Sequence, residues 1–118
     1  MRDIILAMKV SELGEFGLID LLTKVAFEVQ DRQSISWKQL LVGIGDDAAA
    51  WHPDASIELA TVDSLIQGIH FTLDTITWRE LGWKALAVSL SDIAAMGGIP
   101  KYALVSLGLP GHTEVGDV

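Results

Sequence analysis

The 118-residue sequence is long enough for one domain and too short for two of ordinary size, and half of its residues are hydrophobic. A formal net charge of −8 argues against a nucleic-acid-binding protein, which normally carries a basic patch. The absence of cysteine excludes disulfides and thiolate metal sites, and no apolar run reaches the roughly 20 residues that span a bilayer. We therefore expect a cytoplasmic protein that binds neither nucleic acid nor membrane.

The predicted elements begin with a helix over residues 11–29, in which apolar side chains recur every three or four positions. A polar connector follows, and the sequence KQLLVGI at 38–44 predicts a strand that enters a Gly–Asp turn. The sequence AAAWH at 48–52 predicts a short return strand, which Pro53 ends. The first half of the chain therefore indicates a helix followed by a hairpin.

The second half begins with a strand and a long helix. Residues 57–71 are rich in apolar and β-branched side chains, which predicts a strand that Gly68 interrupts. A helix is predicted from 78 to 96, because Thr77 and Glu80 have the spacing of a capping box at its start.

The glycine pair Gly97–Gly98 is expected to end this helix in a left-handed conformation, and Pro100 prevents its continuation. Residues 101–110 predict another strand, and residues 111–118 predict a turn that leads into a further helix. This order indicates an α+β fold with a small, mostly antiparallel or mixed sheet and helices on one face. So small a sheet leaves open edges and an uncovered apolar face, so we expect an oligomer.

The stretch GIGDDAAAWH at 43–52 places two adjacent carboxylates, Asp46 and Asp47, directly after an apolar strand. Its start matches the G-x-G-x-x-A pattern of dinucleotide-binding proteins, but that fingerprint requires a helix N-terminus aimed at a pyrophosphate. Here two carboxylates occupy that place, and Pro53 follows too soon for a full helix, so we reject a dinucleotide site. A solvated turn and a metal site remain as interpretations.

Two further acids stand in apolar sequence. Asp63 lies in ATVDSL, within a predicted strand, and Asp92 lies on the apolar stripe of the long predicted helix. Burying a carboxylate is costly unless it is hydrogen bonded or paired with a cation. Each acid also has a simpler explanation than a cation site. Asp63 could be an acid at the end of a strand, and Asp92 could accept a hydrogen bond in the core. Together with the Gly–Asp turn, these acids favour Mg²⁺, which takes oxygen ligands and binds substrate phosphates.

Four pieces of the sequence resemble, in the same order, the N-terminal half of the thiamine-monophosphate kinase family: MKVSELGEFGLIDLL, GIGDDAA, TVDSLIQGIHF and LGWKALAVSLSDIAAMGGIPKYALVSLGLP. That family belongs to the superfamily of aminoimidazole ribonucleotide synthetase. The resemblance implies a single ATP- and Mg²⁺-binding domain over residues 1–118, with residues 1–10 as an extension or first strand. It also implies direct phosphoryl transfer from ATP to thiamine monophosphate, giving thiamine diphosphate, in a homodimer whose paired sheets form a barrel.

The resemblance also implies roles for particular residues. The matching positions for Mg²⁺ ligands are Asp46, Asp47, Thr61, Asp63 and Asp92. His70, which could otherwise be a packing residue, matches a contact to the thiamine substrate. The segment Gly14, Glu15 and Phe16 resembles a mobile piece near the nucleotide. No covalent nucleophile is implied.

The family enzyme has a second domain that these 118 residues do not match, so we expect little or no kinase activity from this stretch alone. Two alternatives to the kinase interpretation stay open. The chain could be another ATP-using member of the superfamily, or a non-catalytic module for dimerisation or for binding Mg²⁺ and nucleotide.

Overall fold

The structure is a computed structural model, and it describes residues 7–29, 38–45, 48–53 and 57–118. The chain divides into two compact units. The first consists of Met1–Ser56 with Ala103–Val118, and the second is Ile57–Tyr102.

In the first unit, helix α1 spans Val10–Val29, which confirms the predicted helix to within one residue. The helix is interrupted at Gly14, whose backbone has φ 74° and ψ 172°. That conformation is essentially restricted to glycine, since any Cβ would clash with the backbone there. Gly14 therefore separates a first short turn from the regular helix that follows.

The start of α1 is hydrogen bonded to the C-terminal segment of the chain. The amide of Val10 donates to the carbonyl of Thr113 over 2.8 Å, and the amide of Val115 donates to the carbonyl of Met8 over 2.8 Å. Thr113 and Val115 are among the most buried residues, and Leu18 of α1 is buried as well. The described core of the first unit therefore lies between α1 and this segment. A short 3-10 helix at Val115–Asp117 stands where a further helix was expected.

A two-stranded antiparallel sheet completes the described part of the first unit. Strand β1 is Leu40–Val42 and strand β2 is Ala50–Trp51, with Leu40 opposite Trp51. Both strands were predicted, and the Gly–Asp turn lies between them. Gly45 has φ 112°, a left-handed value that glycine adopts without strain. A strand follows the turn instead of a helix, in agreement with the rejection of a dinucleotide fingerprint.

In the second unit, helix α2 spans Trp78–Ala95, as predicted to within one residue. The predicted capping box is present. The Glu80 amide donates to Thr77 Oγ1 over 3.2 Å, and the Thr77 amide donates to Glu80 Oε2 over 2.7 Å. These two bonds satisfy amide groups that would otherwise lack a partner at the start of the helix.

The glycine pair ends α2 as expected. Gly97 has φ 71°, its amide donates to Ala94, and the Gly98 amide donates to Ile93 over 2.9 Å. This pattern of two bonds is a Schellman motif, which satisfies the last carbonyl groups of a helix. A turn at Gly68, with φ 81°, also confirms the predicted break in residues 57–71.

The strands predicted in residues 57–66 and 101–110 are wrong for this chain: neither segment is assigned to a strand. Their β-branched and apolar residues favour extended structure, but a strand also needs a neighbour with which to form a ladder. Several of their side chains are instead highly exposed, among them Val62 at 88 % and Leu104 at 83 %.

The α+β class is confirmed, with two long helices and one small antiparallel sheet in the described residues. Helices on one face of the sheet, and a barrel formed between two sheets, stay predictions. None of the described helices is both long enough and apolar enough to cross a membrane.

Candidate functional site

Two residues predicted as metal ligands come together in the second unit. Thr61 Oγ1 donates a hydrogen bond of 2.9 Å to Asp92 Oδ2. Thr61 lies in the irregular segment that precedes the Gly68 turn, and Asp92 lies in the last turn of α2. The Schellman end of α2 fixes the backbone beside Asp92, because the Met96 amide also donates to the Asp92 carbonyl over 3.2 Å.

The expectation that Asp63 and Asp92 stand in apolar surroundings is wrong for this chain. Both residues are exposed, and no residue of α2 is buried. The helical stripe that carries Asp92 is apolar in sequence, but the other described residues of its unit cover it only in part. The desolvation cost that pointed to a cation therefore does not apply, and the Asp92 carboxylate accepts from Thr61 instead of from a core group.

The position of Asp92 in its helix gives a different electrostatic argument. The last turn of a helix carries a partial negative charge, which disfavours a carboxylate there by about 0.3–1 kcal/mol. The last turn of α2 contains no basic residue that would offset this cost. A cation bound by Asp92 would offset it.

The Thr61–Asp92 pair has oxygen donors at a separation that suits Mg²⁺. Two ligands at adjacent corners of an octahedron with bonds of 2.0–2.1 Å lie about 2.9 Å apart. The two oxygen atoms are 2.9 Å apart. The hydroxyl keeps its lone pairs when it donates its proton to the carboxylate, so both oxygens can face one ion. An ordinary hydrogen bond between hydroxyl and carboxylate has a similar length, so the spacing agrees with two adjacent Mg²⁺ ligands without distinguishing them from a hydrogen-bonded pair.

The rest of the predicted ligand set is not assembled in the described residues. No group of three His, Cys, Asp or Glu side chains in residues 7–29, 38–45, 48–53 and 57–118 could hold a metal ion. Asp63 is exposed two residues after Thr61. Asp46 and Asp47 lie outside the described residues, so their roles stay predictions.

His70 lies at the end of a tight turn. The amides of Ile69 and His70 both donate to the Ile66 carbonyl, over 3.1 and 2.8 Å. The His70 ring closes the turn further, because its Nδ1 accepts a hydrogen bond of 3.1 Å from the Ile66 amide. A neutral imidazole that accepts at Nδ1 carries its proton at Nε2. The exposed ring can therefore donate from Nε2 to a substrate.

Sequence reasoning missed Lys84, whose Nζ donates a hydrogen bond of 2.9 Å to the carbonyl of His70. The helical spacing of Glu80 and Lys84 favours an ion pair between them. The Glu80 carboxylate is instead hydrogen bonded to Thr77, and Lys84 reaches to the turn. No sequence rule links a lysine to a backbone carbonyl fourteen residues away, so the structure alone reveals this contact.

The predicted nucleotide segment lies in the first unit, at the interruption of α1. Gly14 has the glycine-only conformation described above, and apart from the local backbone of its own helix no atom would lie within 4 Å of an added Cβ. Glu15 is exposed, and Phe16 is 82 % exposed. An exposed phenylalanine beside a glycine break is accessible to a ligand, and a nucleotide contact by these three residues stays a prediction.

Comparison with known proteins identifies the family. Residues 45–117 match the family model described as AIR synthase related protein, N-terminal domain. The thiamine-monophosphate kinase of Aquifex aeolicus is 43% identical over 108 residues, which make up 92% of this chain and 31% of that protein. The Bacillus subtilis thiamine-monophosphate kinase is 42% identical over 99 residues, 83% of this chain and 28% of that protein.

The chain spans about three tenths of the length of these curated relatives. Comparison with solved structures gives no significant match. The matched domain covers more than half of the sequence and includes Thr61, Asp63, His70 and Asp92. The chain therefore belongs to the AIR synthase related protein family, and residues 45–117 correspond to its N-terminal domain.

Proposed function

We propose that this chain is the N-terminal part of a thiamine-monophosphate kinase that acts in the cytoplasm. The observation that carries the proposal is the identity of about 40% to proteins of that name over most of this chain. In the proposed reaction, an oxygen of the thiamine monophosphate phosphate forms a bond to the γ-phosphorus of ATP. The bond from that phosphorus to the β,γ-bridging oxygen breaks, so the products are thiamine diphosphate and ADP.

The charge of the chain favours a cation in this reaction. Two phosphorylated substrates must approach each other beside a chain with a formal net charge of −8. When bound, Mg²⁺ neutralises phosphate charge and aligns the transferring group. We propose that Thr61 and Asp92 provide adjacent oxygen ligands, with Asp63 and the Gly–Asp turn residues Asp46 and Asp47 completing the set. The 2.9 Å contact and the uncompensated last turn of α2 support this assignment.

We propose that His70 binds the thiamine substrate through its ring. The hydrogen bond from the Ile66 amide to Nδ1 holds the imidazole in one orientation, with the donor nitrogen Nε2 free for the substrate. Gly14, Glu15 and Phe16 are proposed to contact the nucleotide, and the exposure of Phe16 is compatible with that role.

We further propose that the chain forms a homodimer. The segments 57–66 and 103–109 have strand-forming sequences but are not assigned to strands in the described residues. Six of their apolar side chains are exposed by about half or more: Ile57, Val62, Ile66, Leu104, Val105 and Leu107. Pairing with a second copy would supply ladder hydrogen bonds and remove these apolar groups from water.

The kinase proposal can be tested with a hybrid enzyme. In the hybrid, this chain replaces the aligned 108-residue part of the Aquifex aeolicus relative. We expect thiamine diphosphate from ATP, Mg²⁺ and thiamine monophosphate, and no product after chelation of Mg²⁺. Asp63→Asn and Asp92→Asn should lower the rate at least about a hundredfold, because even the loss of a partner of a metal ligand costs 10- to 100-fold.

Asp74→Asn is the matched control, since Asp74 is also exposed and lies in the same unit. It should leave the rate of the hybrid unchanged. A folded hybrid that binds Mg²⁺ and nucleotide without turnover would favour the non-catalytic module. Phosphoryl transfer to a different acceptor would favour another member of the superfamily.

A further inference from the structure

We propose that Lys84 is a positioning residue that fixes the turn of His70 onto helix α2. The inference rests on the proposed function, because His70 is there the residue that contacts the thiamine substrate. The hydrogen bond of Lys84 is made to the backbone of His70. Lys84 acts through the backbone, since its Nζ donates to the His70 carbonyl over 2.9 Å.

The turn of His70 has internal hydrogen bonds but little packing. Its amide groups bond within residues 66–71, and the Gly68 amide donates to the Phe71 carbonyl over 2.8 Å. Two of its apolar side chains are largely solvent-exposed, Ile66 at 50% and Ile69 at 73%, while Phe71 is half-buried. Apolar burial of these two side chains therefore contributes little to the orientation of the turn. A polar contact to a rigid element is the means by which its direction can be set.

Helix α2 is the rigid element. Its start is fixed by the capping box of Thr77 and Glu80, and Lys84 lies one turn after Glu80. The Glu80 carboxylate is hydrogen bonded to Thr77, and the Lys84 ammonium reaches the carbonyl of His70. A hydrogen bond from a charged donor is stronger than one between neutral groups, by roughly a factor of two.

The contact between Lys84 and the His70 carbonyl also affects the orientation of the imidazole ring. The ring orientation depends on the bond from the Ile66 amide to Nδ1, and that bond requires residues 66 and 70 to keep their turn geometry. Lys84 holds the carbonyl end of this turn, so its loss should loosen both the turn and the ring. The expected consequence is a mixture of Nδ1–H and Nε2–H tautomers in place of one tautomer.

The test measures the two ring nitrogens of His70 by ¹⁵N NMR in the 118-residue chain. In the wild type, the nitrogen shifts should be widely separated, as a single tautomer requires. In Lys84→Met, the two shifts should converge. Lys84→Arg keeps a charged donor and should restore the separation. Arg79→Met removes a charge from the same exposed helix and should leave the shifts at their wild-type values.

Unchanged His70 shifts in Lys84→Met would overturn the proposal, as would convergence in Arg79→Met to the same extent. The hybrid enzyme adds a readout that a purely structural role would not move: Lys84→Met should raise KM for thiamine monophosphate about tenfold and leave KM for ATP unchanged. An inactive wild-type hybrid would count against the proposed function, while the NMR result would still decide the role of Lys84.

Discussion

Thr61 and Asp92 are joined by a hydrogen bond of 2.9 Å between side-chain oxygens, although they are 31 residues apart in the sequence. The bond connects an irregular segment to the last turn of a helix. Neither partner is buried, so the bond is formed in competition with water and adds at most about 1 kcal/mol to stability. The proposed ligation of Mg²⁺ by these two oxygens is a separate role that can be tested.

Replacement of Thr61 tests that role. Thr61→Val keeps the shape of the side chain but removes the hydroxyl oxygen, so it should weaken binding of Mg²⁺ with a nucleotide about tenfold or more. At saturating ligand, a tenfold loss lowers the ligand-induced stabilisation by about 1.4 kcal/mol. Thermal melts with and without Mg²⁺ and a non-hydrolysable ATP analogue measure this difference.

Thr61→Ser should preserve the ligand-induced shift, because serine keeps the oxygen. Thr75→Val is the control: Thr75 is also exposed and its hydroxyl is hydrogen bonded to Thr72. It should not change the shift. Equal shifts for wild type and Thr61→Val would remove Thr61 from the ligand set.

The sequence named Thr61 only through the family resemblance, and the structure places its hydroxyl on Asp92, while the ligand role of both residues stays a prediction. The separate argument for Asp92 assumed burial, and the side chain is exposed. Burial depends on what covers a helix face, and periodicity only says which residues share that face. Lys84 was missed because its partner is a backbone carbonyl, which has no signature in sequence.

The capping box predicts a stability effect at Thr77. Thr77→Ala removes the hydroxyl that accepts from the Glu80 amide and should lower the free energy of unfolding by about 1 kcal/mol. Thr77→Ser keeps the acceptor and should remain close to wild type. Urea denaturation followed by circular dichroism measures the difference, and equal midpoints for wild type and Thr77→Ala would show that the cap contributes nothing.

Glu80 gives the box a pH dependence. Hydrogen bonds from the Thr77 amide and then from the Thr77 hydroxyl hold the pKa of Glu80 below its ordinary value of 4.5. The unfolded chain therefore binds the proton more readily than the folded chain. The stabilisation is present above pH 4.5 and is lost as the pH falls through the lowered pKa.

Glu80→Gln keeps an acceptor oxygen but cannot titrate, so its stability should decline less than that of the wild type between about pH 5 and pH 3. Urea midpoints measured across this range give the comparison directly. Other carboxylates titrate in both proteins, and their effect cancels in the difference. Parallel curves for the two proteins would contradict the assigned role of Glu80.

Two glycines of the second unit should respond to alanine in opposite directions. Gly82 lies within α2, where a Cβ would meet nothing within 4 Å, so Gly82→Ala should stabilise the helix by about 1 kcal/mol. At Gly98 an added Cβ would lie 2.7 Å from Leu59 Cδ1 and 3.2 Å from the Ile93 carbonyl oxygen. Gly98→Ala should therefore destabilise the unit by about 1–3 kcal/mol. Urea denaturation of both variants measures whether the free energy of unfolding rises or falls.

The fold was predictable where local chemistry decides it. Helix α2 begins and ends at groups that neighbouring residues satisfy, so its bounds could be read from Thr77, Glu80 and Gly97. The strands predicted at 57–66 and 101–110 depend instead on a distant partner, and propensity cannot say whether the same copy of the chain supplies one.

The homodimer can be tested at residues 103–109, which lack a partner strand in the described residues. If a second copy pairs with residues 103–109, Leu104→Lys should turn the dimer into a monomer, since a buried lysine without a partner is costly. Leu104 is 83% exposed in one copy, so the substitution should not unfold that copy. Val25→Lys, at an exposed position on α1, is the control and should remain dimeric. Light scattering at micromolar concentration gives the masses, and a monomeric wild type would contradict the homodimer.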